Sequence, residues 1–134
     1  MELKPVNNTM KAPESNFTGD VYVTPIKQTE EPSRLIVSLV RFTPGARTNW
    51  HSHAVGQTLH VTEGRGLVVN RDGTVIRMRH GDTVWTPPGE EHWHGGTAEN
   101  FMCHLAVLEG TGDGDGTTWL DPVSDKDYNG ANVG

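Results

Sequence analysis

Pro44-Gly45-Ala46-Arg47-Thr48-Asn49-Trp50-His51-Ser52-His53-Ala54-Val55-Gly56-Gln57, running on into Thr58-Leu59-His60-Val61-Thr62, decides how this chain folds. A Pro-Gly turn opens the stretch, a His-x-His pair follows in a strand-like run, and Gly56 bends the chain before a second alternating run begins. Residues i and i+2 of a strand share a face, with Cα atoms ~6.7 Å apart, so His51 and His53 point the same way. Beginning 36 residues after Gly45, Gly81-Asp82-Thr83-Val84-Trp85-Thr86-Pro87-Pro88-Gly89-Glu90-Glu91-His92-Trp93-His94 repeats the scheme, with turn glycines and prolines leading into a second His-x-His.

Around these two stretches the chain is a series of short runs separated by turns. The runs are Val21–Ile26, Leu35–Phe42, Arg47–His53, Gln57–Thr62, Gly66–Asn70, Thr74–Arg79, Thr83–Thr86, His92–Thr97 and Phe101–Glu109. Pro44-Gly45, Glu63-Gly64, Arg71-Asp72-Gly73, His80-Gly81-Asp82 and Pro87-Pro88-Gly89 divide them, and Asp72-Gly73 between strand formers is a strong hairpin signal. The reading is all-β, a barrel or sandwich over residues 21–109. Residues 1–20 form an N-terminal arm, disordered alone or ordered against a partner subunit. Residues 110–134 form a tail: the Gly110–Gly116 linker, then a short helix with Asp121 as N-cap and Pro122 in its first turn. The Asp-Gly repeat of the linker lacks the third acidic position and the closing Glu of a calcium loop. Leu35–Val40 is nearly apolar on both faces, which points to a homodimer or homotetramer.

The chain has 134 residues, enough for one core, and 17 acidic against 11 basic residues give it a net charge of −6. That balance excludes a nucleic-acid backbone or an anionic membrane as partner and leaves a small molecule as substrate. No run approaches the ~20 apolar residues of a membrane helix, the first ten residues carry no signal-peptide core, and the single cysteine, Cys103, has no partner for an internal disulfide. A cytoplasmic protein is expected.

His51, His53 and His92 can converge on one divalent ion, and Gln57, across the bend at Gly56, can add an amide oxygen. This nitrogen-rich set suits Mn, Fe, Co, Ni or Zn and is poor for Ca or Mg. A lone His-x-His is usually an ordinary surface or core pair; two such motifs with turn glycines and prolines in place point to a metal. Three neutral imidazoles and a neutral amide leave the ion its full charge, favouring Lewis-acid chemistry over oxygen activation. His94 shares the face of His92, and His104 lies among Met102, Ala106 and Leu108. Either could exchange a proton with a substrate near pH 7, or only hydrogen-bond a neighbouring group. His60 alternates out of phase with Gln57, Leu59 and Val61, and His80 precedes a turn, so both are expected outside the cavity.

Gly45-x5-His51-x-His53-x3-Gln57-x6-Gly64 resembles the first cupin motif, with Gln in place of the usual Glu. Gly81-x5-Pro87-x-Gly89-x2-His92 resembles the second, with Gly96 where Asn often stands. The resemblance implies a double-stranded β-helix, the cupin jelly-roll barrel. In detail the two stretches are similar to small bacterial cupins with manganese-dependent hydroxynitrile lyase activity. That similarity implies manganese on His51, His53, Gln57 and His92, with His94 and His104 as cavity histidines. Two other readings stand beside it: an iron-dependent dioxygenase of a small diketone or aromatic substrate, and a non-catalytic small-ligand binding cupin.

Overall fold

In the computed structural model, which describes residues 1–133, the runs become strands β1 (Met10–Lys11), β2 (Phe17–Thr18), β3 (Val21–Lys27), β4 (Leu35–Phe42), β5 (Arg47–Thr48), β6 (His51–His53), β7 (Gln57–Asn70), β8 (Val75–Arg79), β9 (Thr83–Thr86), β10 (His92–Gly96), β11 (Met102–Glu109) and β12 (Thr117–Trp119). One helix, α1 (Asp125–Asn132), follows. All strand pairings are antiparallel, and the main path runs β1-β3-β4-β11-β7-β10-β5-β2. β9 joins the first half of β7, β8 the second half, and β6 lies between β10 and β12.

β7 curls this array into a barrel. Its first half pairs with β11 and β9, and its second half with β10 and β8. The sequence reading put a turn at Glu63-Gly64; the structure instead carries one strand through a bend there. Gly64 has φ +80°, and a Cβ at this position would collide with the Phe101 carbonyl, so the bend needs glycine. The hairpin at Asp72-Gly73 forms as the dipeptide predicts, with Gly73 at φ +91° and its N–H donating to the Asn70 carbonyl at 3.2 Å.

Alternate residues of the strands fill the barrel: Val21, Val40, Phe42, Leu59, Val61, Val68, Met102 and Ala106 form its apolar interior. The opposite face of β7 and β10 buries Leu67, Val69 and Trp93 against Tyr128 and Ala131 of α1. Leu67 and Trp93 are each fully buried, which stabilises the helix dock by several kcal/mol, at roughly 2–3 kcal/mol per large side chain. Three expectations change. The arm is not apart from the barrel, because β1 pairs with β3 and β2 with β5. The tail adds a strand, β12, that pairs with β6. The helix is capped by Ser124, whose Oγ accepts from the Asp127 N–H, and not by Asp121. The Asp121 carbonyl instead accepts from the Trp50 N–H at 2.9 Å, and Arg47 donates to the Val123 carbonyl at 2.8 Å, so residues 121–123 are tied to the barrel wall ahead of the helix.

Candidate metal centre

β6 is only three residues long, because the chain turns back at Gly56 (φ +83°), whose N–H donates to the His53 carbonyl. Within it His51 and His53 face the barrel interior, and the register sets His92 of β10 directly opposite His51. The ring centroids lie 4.3 Å apart for His51 and His92, 4.9 Å for His51 and His53, and 5.4 Å for His53 and His92. One nitrogen from each ring lies within 4.8 Å of the other two. The three are 1%, 4% and 1% exposed.

Each ring is turned by a bond at Nδ1. The Asn49 carbonyl lies 2.9 Å from Nδ1 of His51, the Glu90 carbonyl 3.0 Å from Nδ1 of His92, and Thr117 Oγ1 3.0 Å from Nδ1 of His53. A carbonyl can only accept, so it holds the proton on Nδ1 of His51 and His92 and leaves their Nε2 lone pairs free; the Thr117 hydroxyl can accept in the same way from His53. Nε2 of His53, Nε2 of His92 and Oε1 of Gln57 are buried with no hydrogen-bond partner. Leaving such atoms unsatisfied costs about 1–3 kcal/mol each. Burial, then the neighbouring His92, holds His51 well below the ordinary imidazole pKa and brings His53 to about 4. His92 is lowered too, mainly by burial. All three are neutral at pH 7, the state in which imidazole binds a metal. Three converging neutral nitrogens and an orphaned amide oxygen fit a divalent transition ion.

A second pair stands beside them. His94 Nδ1 lies 3.0 Å from His104 Nε2, both residues being buried. The His94 ring stacks on His92 at 5.7 Å and meets His51 edge-on at 5.2 Å, while Phe42 covers both His94 and His104. Burial, then the His104 neighbour, keeps His94 well below the usual imidazole range, and burial brings His104 to about 4. The outer atoms, Nε2 of His94 and Nδ1 of His104, have no partner. With both rings neutral, one N–H fills the 3.0 Å bond, so one outer nitrogen carries hydrogen and the other is a free base; a proton taken up at the free base, passed across the bond and released from the other outer nitrogen exchanges the two.

The Cupin domain family profile matches residues 38–109. Over 130 residues, 96% of this chain and 98% of the relative, the sequence is 42% identical to the (R)-mandelonitrile lyase of Granulicella tundricola. The chain belongs to the cupin family. This cupin also matches a gentisate 1,2-dioxygenase from a Streptomyces species, at 36% identity over 59 residues, which span 16% of that protein. Among solved structures, a cupin-like protein from Thermotoga maritima superposes with TM-score 0.88 at 32% identity, covering 100% of this chain and 99% of its own. A cupin 2 conserved barrel domain protein from Rhodopseudomonas palustris shares the fold at TM-score 0.72 and 18% identity, over 91% and 80% of the two chains.

The cupin barrel thus gathers His51, His53, Gln57, His92, His94 and His104 into one interior. His60 is outside it, hydrogen-bonded to Thr83 at 2.8 Å, and His80 is exposed. Sequence reading missed Thr117 and Trp119. Trp119 lies opposite His51 in the register and packs on its ring at 4.7 Å. Their only signal was a three-residue β-favouring run, Thr117-Thr118-Trp119, after a glycine-rich linker.

Proposed function

We propose that this cupin is a metal-dependent lyase that cleaves and forms small cyanohydrins. The observation that carries the reading is the buried His94–His104 pair beside the three converging imidazoles; the full-length similarity to a protein named (R)-mandelonitrile lyase supports the same chemistry. His51, His53, His92 and Gln57 would hold the ion, manganese first among Mn, Fe, Zn, Ni and Co. Bound there, the ion supplies Lewis acidity toward a hydroxyl or carbonyl oxygen.

The rest falls to the protein's own groups. His94 and His104, kept neutral by burial, take the cyanohydrin hydroxyl proton. The oxygen electron pair becomes the new C=O bond, the C–CN bond breaks, and its pair leaves with cyanide. Returning the proton gives hydrogen cyanide and restores the imidazoles. Phe42, Leu59 and Val40 keep the site dry, which strengthens each polar interaction within it.

The dioxygenase alternative draws on the short gentisate 1,2-dioxygenase match. Mandelonitrile cleavage by the manganese-loaded protein, with and without oxygen, separates the two. Equal cleavage in both supports the lyase; oxygen consumption on an aromatic diol with no cleavage supports the dioxygenase. The proposal includes a cytoplasmic homodimer or homotetramer. On the outer face of the sheet the cross-strand pairs Leu39–Leu105 and Val37–Val107 stay half-exposed, where an antiparallel sheet facing water would carry polar side chains. Buried Cys103 is a free thiol.

A further inference from the structure

We propose that Thr117 is a positioning residue for His53, so that the tail strand β12 sets how tightly the centre holds its metal. This rests on the metal reading of the three histidines. Their Nδ1 partners differ in kind. His51 and His92 each use a backbone carbonyl two residues earlier in the chain, which no substitution of a side chain removes. His53 alone uses a side chain, the hydroxyl of Thr117, 64 residues further along.

The structure holds Thr117 in place from all sides. β12 is in register with β6, Thr117 opposite His53, Thr118 opposite Ser52 and Trp119 opposite His51. The Ala54 N–H donates to the Gly116 carbonyl at 2.9 Å, and the Leu120 N–H to the Trp50 carbonyl at 2.8 Å, so the strand is pinned at both ends. The Thr117 N–H donates to Asp115 Oδ1 at 2.9 Å, fixing the entry from the linker. Trp119 covers the His51 ring from the same strand. β12 lies beyond the stretch 38–109 that the family profile matches, so this contact is not part of that match.

The hydroxyl can accept from the metal-binding tautomer of His53. When Thr117 Oγ1 accepts from Nδ1–H, the Nε2 lone pair of His53 faces the cavity, where that atom has no other partner. Without the hydroxyl, the Nδ1–H of the metal-binding tautomer loses its partner and rotated rings become accessible, so binding must first select the competent orientation. Removing the outer partner of a metal-bound imidazole typically weakens binding ~10–100-fold.

Zinc is the probe, because it is diamagnetic and redox-silent. The full chain is stripped with chelator and titrated with zinc against a competing indicator. Thr117→Val, nearly the same shape without the hydroxyl, should raise the zinc Kd ~10–100-fold. Thr117→Ser should restore it to within about threefold of wild type, and Thr118→Val, on the exposed side of the strand, should leave it unchanged. If wild type fails to bind zinc, the metal reading itself is wrong. If wild type binds and folded Thr117→Val binds equally well, or folded Thr117→Ser binds as weakly as Thr117→Val, the role of Thr117 is overturned. Should Thr117→Val not fold, the wild-type protein decides alone. Its zinc-loaded form must show a His53 Nδ1–H resonance protected from exchange with water, and an unprotected proton there refutes the contact.

Discussion

Lowering the pH of the metal-free protein from 7 to 5 should destabilise it strongly, because the barrel buries imidazoles that the unfolded chain is free to protonate. His104 is completely buried, and burial brings its pKa to about 4, against 6.5 for an ordinary imidazole. The lower pKa belongs to the folded state, so the unfolded chain takes up the proton first. Stability is therefore complete above about pH 6.5 and drains away as pH falls toward about 4. Between pH 7 and 5 this one residue removes about 2 kcal/mol. His51, His92 and His94 are shifted in the same direction and for the same first cause, so the total loss exceeds that of His104 alone. Denaturant unfolding of chelator-treated protein across this range measures it. His104→Leu should flatten the slope by up to one proton, whatever its effect on absolute stability. A wild-type stability that stays flat from pH 7 to 5, or a slope unaltered in His104→Leu, would mean that the imidazoles are solvated or charged in the folded state.

Two further outcomes concern the site itself. Gln57→Glu should bind metal at least as tightly while lowering the cyanohydrin cleavage rate, since a carboxylate donor adds charge and weakens the Lewis acid; an unchanged rate would remove the neutral amide as the tuning element. His94→Ala and His104→Ala should keep metal content near wild type and lower turnover, by up to ~10²–10⁴-fold if the residue is the base, as metal analysis and steady-state rates on the same preparations will show.

The barrel was legible in the sequence because its turns are made by residues with few alternatives. Asp72-Gly73, Pro44-Gly45 and Pro87-Pro88-Gly89 each punctuate the chain where a strand ends. The inward set was legible for a related reason: period-two alternation fixes which of His92, Trp93 and His94 share a face. What stayed hidden depended on distant partners. Nothing local distinguishes a turn at Glu63-Gly64 from a bend inside one long strand; the pairing of β7 with both β11 and β10 decides it. The three residues of β12 are too short to carry a period, and they form a strand only because β6 offers an unpaired edge. The helix start shifted from Asp121 to Ser124 because Trp50 and Arg47, some 70 residues earlier, tie the intervening backbone to the barrel wall. The His94–His104 bond likewise joins two strands that the sequence could place inside the barrel but not in contact.

Metal content of protein purified without added ions, compared between wild type and the double variant His51→Ala/His92→Ala, tests the metal centre most directly. Near-stoichiometric Mn, Fe, Co, Ni or Zn is expected in wild type. The folded double variant, which loses two of the three converging imidazoles, should retain almost none. Full metal occupancy in that variant would contradict the assignment of the site to these histidines.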